Sequence, residues 1–157
     1  MAITTAFANS FKTELLAMTP HTAADVYKLV LIKTSHVGTY NKSTTNVGTP
    51  GTGTPSTSNL GTDAVAASGG YASVDGITLA GFAASLDGDT AILTFTDPGA
   101  LAGVTASADG CIIYNSSRAN RVCGVYAFAG APIASTAGPF DVNLPAAAAA
   151  TAVIRIT

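Results

Sequence analysis

Charged residues are the scarcest class in this chain of 157 residues. Only 10 % are Asp, Glu, Lys or Arg, against about 25 % in an average globular domain. The formal net charge is −2 and the seven Lys and Arg residues are scattered, so no basic stripe is available for nucleic acid. A surface with so little charge repels its own copies only weakly. We therefore expect much of it to be covered by partners or by further copies of the chain.

Cysteine, tryptophan and long apolar runs are also scarce. The chain has two cysteines and no tryptophan, and two cysteines alone cannot form a structural zinc site. The longest apolar run is too short for a membrane helix. The opening Met-Ala-Ile-Thr-Thr lacks the charged and apolar regions of a signal peptide. We expect a protein that binds neither membrane nor nucleic acid and stays in a cytoplasm until it assembles.

Residues 111–128 predict a β-hairpin around which the rest of the fold is organised. Two runs rich in β-branched and aromatic residues flank a short segment of Asn, Ser and Arg, which is typical of two strands joined by a turn. Cys111 and Cys123 flank that turn. An odd-numbered loop would set them opposite each other and permit a disulfide, whereas an even-numbered loop would put them on opposite faces. We favour free, buried thiols, since cytoplasmic proteins keep their cysteines reduced.

Further strands are predicted where apolar and polar residues alternate or β-branched residues cluster. Residues 25–33 have two largely apolar faces, which indicates a strand in the middle of a sheet. Residues 91–96, 140–144 and 152–157 give three more strands, while 86–89, 135–138 and 146–150 have the composition of turns. Residues 100–110 are small and polar and lead into the hairpin. The pattern predicts a single mainly β domain over 1–157, an antiparallel β-sandwich of jelly-roll-like type.

Residues 1–18 predict a short arm followed by the only helix. Asn9 or Ser10 can cap it, and an apolar stripe runs along one face of the helix before Thr19-Pro20 ends it. The stripe consists of Phe7, Phe11, Leu15 and Met18. Two interpretations stay open: the helix packs on its own domain, or it docks on a neighbouring subunit.

Residues 38–70 form a long loop rich in Gly, Thr, Pro and Ser. Such a segment has little to bury, and a loop of this length in a compact domain is usually functional or disordered. We expect either a flexible excursion or an extended arm that reaches a neighbour. Its Gly-rich part lacks the Lys-Ser/Thr ending of a phosphate-binding loop.

No catalytic, cofactor-binding or metal residues are predicted. His21 and His36 are interpreted as loop residues, and most of the acids lie in turns or beside glycine, where Asp stabilises the turn itself. Arg121, two residues from Cys123, is the charge that could lower the pKa of a thiol. A glycan-binding module is the alternative from another class, with Tyr40, Tyr71 and Tyr114 as its aromatic platform; the absence of tryptophan argues against it.

Several segments resemble small virion structural proteins of tailed bacteriophages. The opening of the chain, residues 2–16, is similar to their Thr-rich arm followed by Ser-Phe-Lys and Glu-Leu-Leu. Residues 27–31 resemble their next strand, and residues 113–121 resemble a later Ile-Tyr-Asn-Ser-Ser-Arg segment. The turn at 135–138 and the closing Val153-Ile154-Arg155-Ile156 complete the resemblance.

The resemblance implies a non-enzymatic virion component. The role we expect is a capsid decoration, or cement, protein that stabilises the head through contacts with copies of itself, as a dimer or trimer, and with the major capsid protein. Residues 1–18 and 38–62 are expected to make these contacts. The alternative within the same class is a component of the neck, tail or fibre. No cofactor is implied.

Overall fold

The fold is mainly β, as predicted. The computed structural model describes residues 2–157, so Met1 of the predicted arm lies outside it. Nine strands and one α-helix follow one another along the chain. Their bounds are β1 Ala6–Phe7, α1 Asn9–Leu16, β2 Tyr27–Lys33, β3 Ile77–Leu79, β4 Ala83–Asp87, β5 Thr90–Thr94, β6 Gly99–Asn115, β7 Arg121–Ala127, β8 Ile133–Val142 and β9 Ile154–Ile156. They form a six-stranded and a three-stranded sheet.

Strand β6 organises the large sheet because it pairs with three other strands. The order is β1-β7-β6-β2-β3, and β8 pairs with β6 outside this path. The second part of β6 lies between β2 and β7, while its first part pairs with β8. All of these pairs are antiparallel. The predicted hairpin at 111–128 is therefore confirmed as the end of β6, a turn and β7.

Strand β2 lies inside the large sheet, as its two apolar faces predicted. It pairs with β6 on one side and β3 on the other, and Leu29 through Ile32 are 0 % exposed. A strand that is covered on both faces needs apolar residues at consecutive positions rather than alternate ones. The Leu-Val-Leu-Ile run satisfies that need and anchors the core.

The small sheet consists of β4, β5 and β9 in that order. An aromatic cluster joins it to the large sheet: the ring of Tyr27 on β2 lies 5.0 Å from that of Phe82 and 5.2 Å from that of Phe95, measured between centroids. Phe82 precedes β4 and Phe95 follows β5. The two sheets thus share one core in a sandwich-like arrangement. The terminal strand predicted at 152–157 is confirmed, because β9 pairs with β5.

Three local predictions were wrong. Residues 100–110 are part of β6 rather than a lead-in. The turn predicted at 86–89 covers only Gly88 and Asp89, because Ala83–Asp87 form a strand that was not expected. The predicted turn at 135–138 lies inside β8, where the register with β6 shifts and Ala137 has a φ of 49°. The compact turn at 146–150 is confirmed by the Ala148 amide, which donates to the Ala146 carbonyl over 2.9 Å.

The loop over 38–70 is folded against the domain, so the expectation that it has little to bury was wrong. Tyr40, Val47 and Leu60 are at most 1 % exposed. The Leu60 amide donates to the Val47 carbonyl over 2.8 Å, and the Thr45 amide donates to the Thr57 carbonyl over 2.7 Å. These contacts close the loop on itself. Its backbone is therefore not free to extend toward a neighbour in this conformation.

The N-terminal arm also lies on its own domain. Strand β1 pairs with β7, and the Thr4 amide donates to the Tyr40 carbonyl over 2.9 Å. Helix α1 begins at Asn9, with Ala8 as the N-cap and no side-chain cap bond, so neither predicted cap is used. Of the predicted stripe, Phe11 is buried but Met18 is 90 % exposed. The first of the two interpretations holds for the start of the helix, while its end is left uncovered.

Candidate functional site

The densest polar cluster of the molecule lies between α1 and the turn of the β6–β7 hairpin. Five segments supply its side chains: α1, the loop before β2, the end of β6, the turn after it and the start of β7. The members are Glu14, His21, Asp25, Asn115, Arg118 and Arg121. Because it joins a histidine to carboxylates next to Cys123, it is the arrangement closest to a catalytic site.

Every link in this cluster is an internal contact. Glu14 receives one bond from Arg121 over 2.6 Å and one from His21 over 2.9 Å. The amide nitrogen of Asn115 donates to Asp25 over 2.9 Å and contacts Nδ1 of His21 at 3.2 Å. Since that amide nitrogen is a donor, Nδ1 of His21 accepts and its Nε2 donates to Glu14. The His21 side chain is 2 % exposed, so a substrate could not reach it.

Asp25 is held ionised by the same contacts. Burial acts to raise its pKa, but hydrogen bonds from the Asn115 side chain, the Thr22 amide and Arg118 hold the pKa below the ordinary 3.8. An ionised carboxylate that already accepts several bonds is a poor general acid. The cluster fastens α1 to the hairpin turn, and this role accounts for its geometry.

The two cysteines are free and buried, as favoured from the sequence. Cys111 pairs with Tyr126 across the hairpin, three residues from Cys123, which is about 10 Å along a strand and beyond disulfide reach. Burial raises the pKa of Cys111 to about 12 and raises that of Cys123 as well. A nucleophilic cysteine needs a lowered pKa. The thiols are therefore part of the core, and Arg121 contacts Glu14 instead of activating Cys123.

Both histidines lie in loops, as predicted, yet each has a carboxylate partner that the sequence did not reveal. His36 Nε2 lies 3.6 Å from Asp109, and its Nδ1 lies 2.8 Å from the carbonyl oxygen of Gly38. Within residues 2–157 no group of three or more His, Cys, Asp or Glu side chains is placed to hold a metal ion. No helix in the same range is long and apolar enough to cross a membrane.

The tyrosines proposed for a glycan platform are inside the protein. Tyr40 and Tyr71 are 0 % exposed and Tyr114 is 2 % exposed. Their hydroxyls bond to Asp63, the Leu31 amide and the Asp75 carbonyl, respectively. A sugar platform needs an exposed ring face, so these residues cannot supply one.

The feature that does face outward is an apolar surface along α1 and β9, which we call the α1–β9 groove. Leu16 is 87 % exposed, Met18 90 % and Ile156 52 %. The groove encloses about 420 Å³ and is lined by residues 7, 11, 12, 15 and 16 on one side and 154–157 on the other. Large apolar side chains that cluster on a surface mark an interaction site. The sequence indicated the helix stripe but not that β9 lies beside it.

Comparison with known proteins identified no match to this chain among family models, curated proteins or solved structures. The site is therefore interpreted from its own chemistry alone.

Proposed function

We propose that this protein is a non-enzymatic structural protein of a tailed-bacteriophage virion, and specifically a capsid decoration protein. One observation supports the structural role. The side chains of the polar cluster between α1 and the hairpin turn bond to one another, whereas the apolar α1–β9 groove is exposed. His21 bonds to Glu14 and both thiols are buried in the core, while Leu16, Met18 and Ile156 remain more than half exposed. Contact with another protein would bury these apolar side chains, whereas a small substrate would find no reactive group to bind in residues 2–157.

The assignment to a virion rests on the resemblance of residues 2–16, 27–31 and 113–121 to small phage structural proteins. Composition supports it, because a chain with 10 % charged residues and a net charge of −2 tolerates close association with many identical neighbours. In this role the protein binds copies of itself and the major capsid protein. Neither a cofactor nor nucleic acid takes part.

A position in the neck, tail or fibre is the second candidate within the same class. Those parts are also built from β-domains in symmetric rings, and the exposed groove suits them equally. Copy number separates the two positions, because a decoration protein covers the shell whereas a neck or tail component forms one or a few rings.

The test is quantitative mass spectrometry of purified particles of the phage that encodes the chain, scaled to the major capsid protein. Hundreds of copies per particle support decoration of the shell, while about six to twenty place the protein in a ring of the neck or tail. Absence from the particles overturns the virion assignment. A neutral control is a host cytoplasmic protein of similar size, which must be absent from the same preparation.

A further inference from the structure

The small sheet has two unpaired edges. Strands β4 and β9 pair with β5 on one side only, and no strand in residues 2–157 pairs with the other side of either. All five residues of β4 are exposed, and four of them, Ala-Ala-Ser-Leu, carry no charge. Natural edge strands are normally protected by lysine, proline, a bulge or a covering element, yet neither edge shows such protection in its sequence apart from Asp87 and Arg155.

The two edges match each other in side-chain chemistry. Leu86, Ala91 and Ile156 form one row across the three strands, so Leu86 and Ile156 point to the same face. Arg155 and Asp87 point to the opposite face by the same alternation. If β9 of one copy and β4 of another continued a single sheet, the two strands would be parallel, because both run antiparallel to β5. Leucine would then lie opposite isoleucine on one face, and arginine would lie diagonal to aspartate on the other.

Charge in the α1–β9 groove favours an acidic occupant. Lys12 and Arg155 line it, both are exposed, and no ion pair is formed by either within residues 2–157. The tip of the β4–β5 hairpin carries the complementary charge, with Asp87 and Asp89 beside the exposed Leu86. The α1–β9 groove, which is apolar and has two cations, is thus complementary to the β4–β5 hairpin, whose exposed leucine lies beside two carboxylates.

We infer that copies of this protein associate head to tail, with the β4–β5 hairpin of one copy in the α1–β9 groove of the next. The contact adds strand β4 to the free edge of β9 and covers Leu16 and Ile156. Two different surfaces meet, so the contact is heterologous and closes into a ring if the rotation between copies allows it. This inference deepens the proposed function by naming the surfaces through which copies of the chain bind one another.

The first test is charge reversal on the purified protein, with the oligomeric state measured by sedimentation velocity over a concentration series. Wild type is expected to associate, and Asp87→Lys or Arg155→Glu alone to weaken association by more than about tenfold through like-charge contact. The double variant is expected to regain association. Asp141→Lys and Lys42→Glu, reversals at exposed positions elsewhere, serve as matched controls. A wild type that stays monomeric, or singles that behave like the controls, would overturn the inference.

Disulfide trapping provides a second test that does not depend on charge. Leu86 and Ile156 of one copy are two strand spacings apart, about 9.6 Å, which is too far for an internal bond. The double variant Leu86→Cys/Ile156→Cys should therefore form intermolecular bonds under mild oxidation, while Cys111 and Cys123 stay buried. Cross-linking by Leu86→Cys alone would instead mean β4–β4 pairing and would overturn the head-to-tail contact. Both tests use protein without particles, so their failure is distinguishable from absence of the protein in virions.

Discussion

At the scale of single residues, Asp63 is a buried carboxylate that accepts several hydrogen bonds. It is 0 % exposed and accepts hydrogen bonds from the amides of Val37 and Gly38 and, over 2.6 Å, from the hydroxyl of Tyr40. Burial acts to raise its pKa, but these bonds and the charge of Lys33 hold the pKa below 3.8. A carboxylate with a lowered pKa stabilises the fold above its unfolded pKa, and that stabilisation is lost as the pH falls through the folded pKa.

Asp63→Asn should therefore lower the free energy of unfolding at pH 7 by about 3 kcal/mol, because one acceptor becomes a donor that faces other donors. Urea unfolding at a series of pH values from 7 to 2 measures the free energy of unfolding of the wild type and of Asp63→Asn. The wild type should lose stability toward pH 2 more steeply than the variant does, and the two curves should converge. Asp141→Asn, at an exposed position on β8, is the control. Parallel curves for wild type and Asp63→Asn would contradict the assignment of this pH dependence to Asp63.

The two thiols give a second prediction at this scale. Because both cysteines are buried and burial raises the pKa of each, neither should react with a thiol reagent in the folded protein at pH 8. Titration with Ellman's reagent should count no thiols in buffer and two in denaturant without reductant. Two thiols counted in buffer would mean that the hairpin opens readily, and none in denaturant would mean that a disulfide exists.

The sequence shows the residues of the polar cluster, but it does not show that they lie close together in the fold. Glu14 and Arg121 are 107 positions apart, and they meet because β1 pairs with β7 and α1 follows β1 directly. Local patterns carry no information on such distant pairs. The prediction of buried, free cysteines needed no distant pair, since it was based on the redox state expected of a cytoplasmic product.

At the scale of elements, one side chain of the loop over 38–70, Asn59, bonds to four backbone groups of the same loop. Asn59 Oδ1 accepts from the Thr49 and Gly61 amides, each over 3.1 Å, and its Nδ2 donates to the carbonyls of Thr52 and Thr54. Gly48 has a φ of 59°, and a Cβ there would lie 2.2 Å from Asn59 Oδ1. Asn59 thus adds side-chain bonds to the backbone bonds and buried residues that order this segment.

Asn59→Ala should release the loop while leaving the sheets intact. The amides of Thr49 and Gly61 lose their acceptor, so their hydrogen exchange should accelerate by more than about tenfold, whereas amides of β2 and β6 keep their protection. Hydrogen exchange followed by mass spectrometry measures both regions. Ser58→Ala is the matched control, because the Ser58 side chain makes only a 3.4 Å contact with Ser56. Unchanged exchange at Thr49 would show that the loop is held by its buried apolar residues instead.

The elements predicted correctly are those with dense apolar or β-branched residues. Strand β2, the hairpin and β9 fall in this group. Strand β4 and the first part of β6 were missed because Ala, Gly, Ser and Thr dominate them, and these residues give neither an alternating pattern nor a hydrophobic run. The loop over 38–70 was predicted to be loose because its buried residues, such as Tyr40 and Leu60, are far apart in sequence. Their contribution depends on tertiary contacts.

At the scale of the whole molecule, the two sheets are joined by side chains of one shared core. Val153, just before β9, and Ile154 lie in this core, and the Tyr126 hydroxyl on β7 donates to the Val153 carbonyl over 2.8 Å. The ring of Phe95 contacts Tyr27 of the large sheet and Phe82 of its own side. The small sheet depends on these contacts with the large one, since three strands alone bury little surface.

Phe95→Ala should uncouple the small sheet from the large one. Removing a buried phenylalanine costs about 3–5 kcal/mol, and here the lost contacts include the one with Tyr27 of the large sheet. Amides of β4, β5 and β9 should then exchange through a partly unfolded state in which β2, β6 and β7 stay protected. Leu86→Ala is the control, since Leu86 belongs to the same sheet but is 72 % exposed and its loss should leave stability within about 0.5 kcal/mol. If Phe95→Ala lowers the protection of both sheets equally, the sheets form one cooperative unit and the aromatic cluster is not the joint between them.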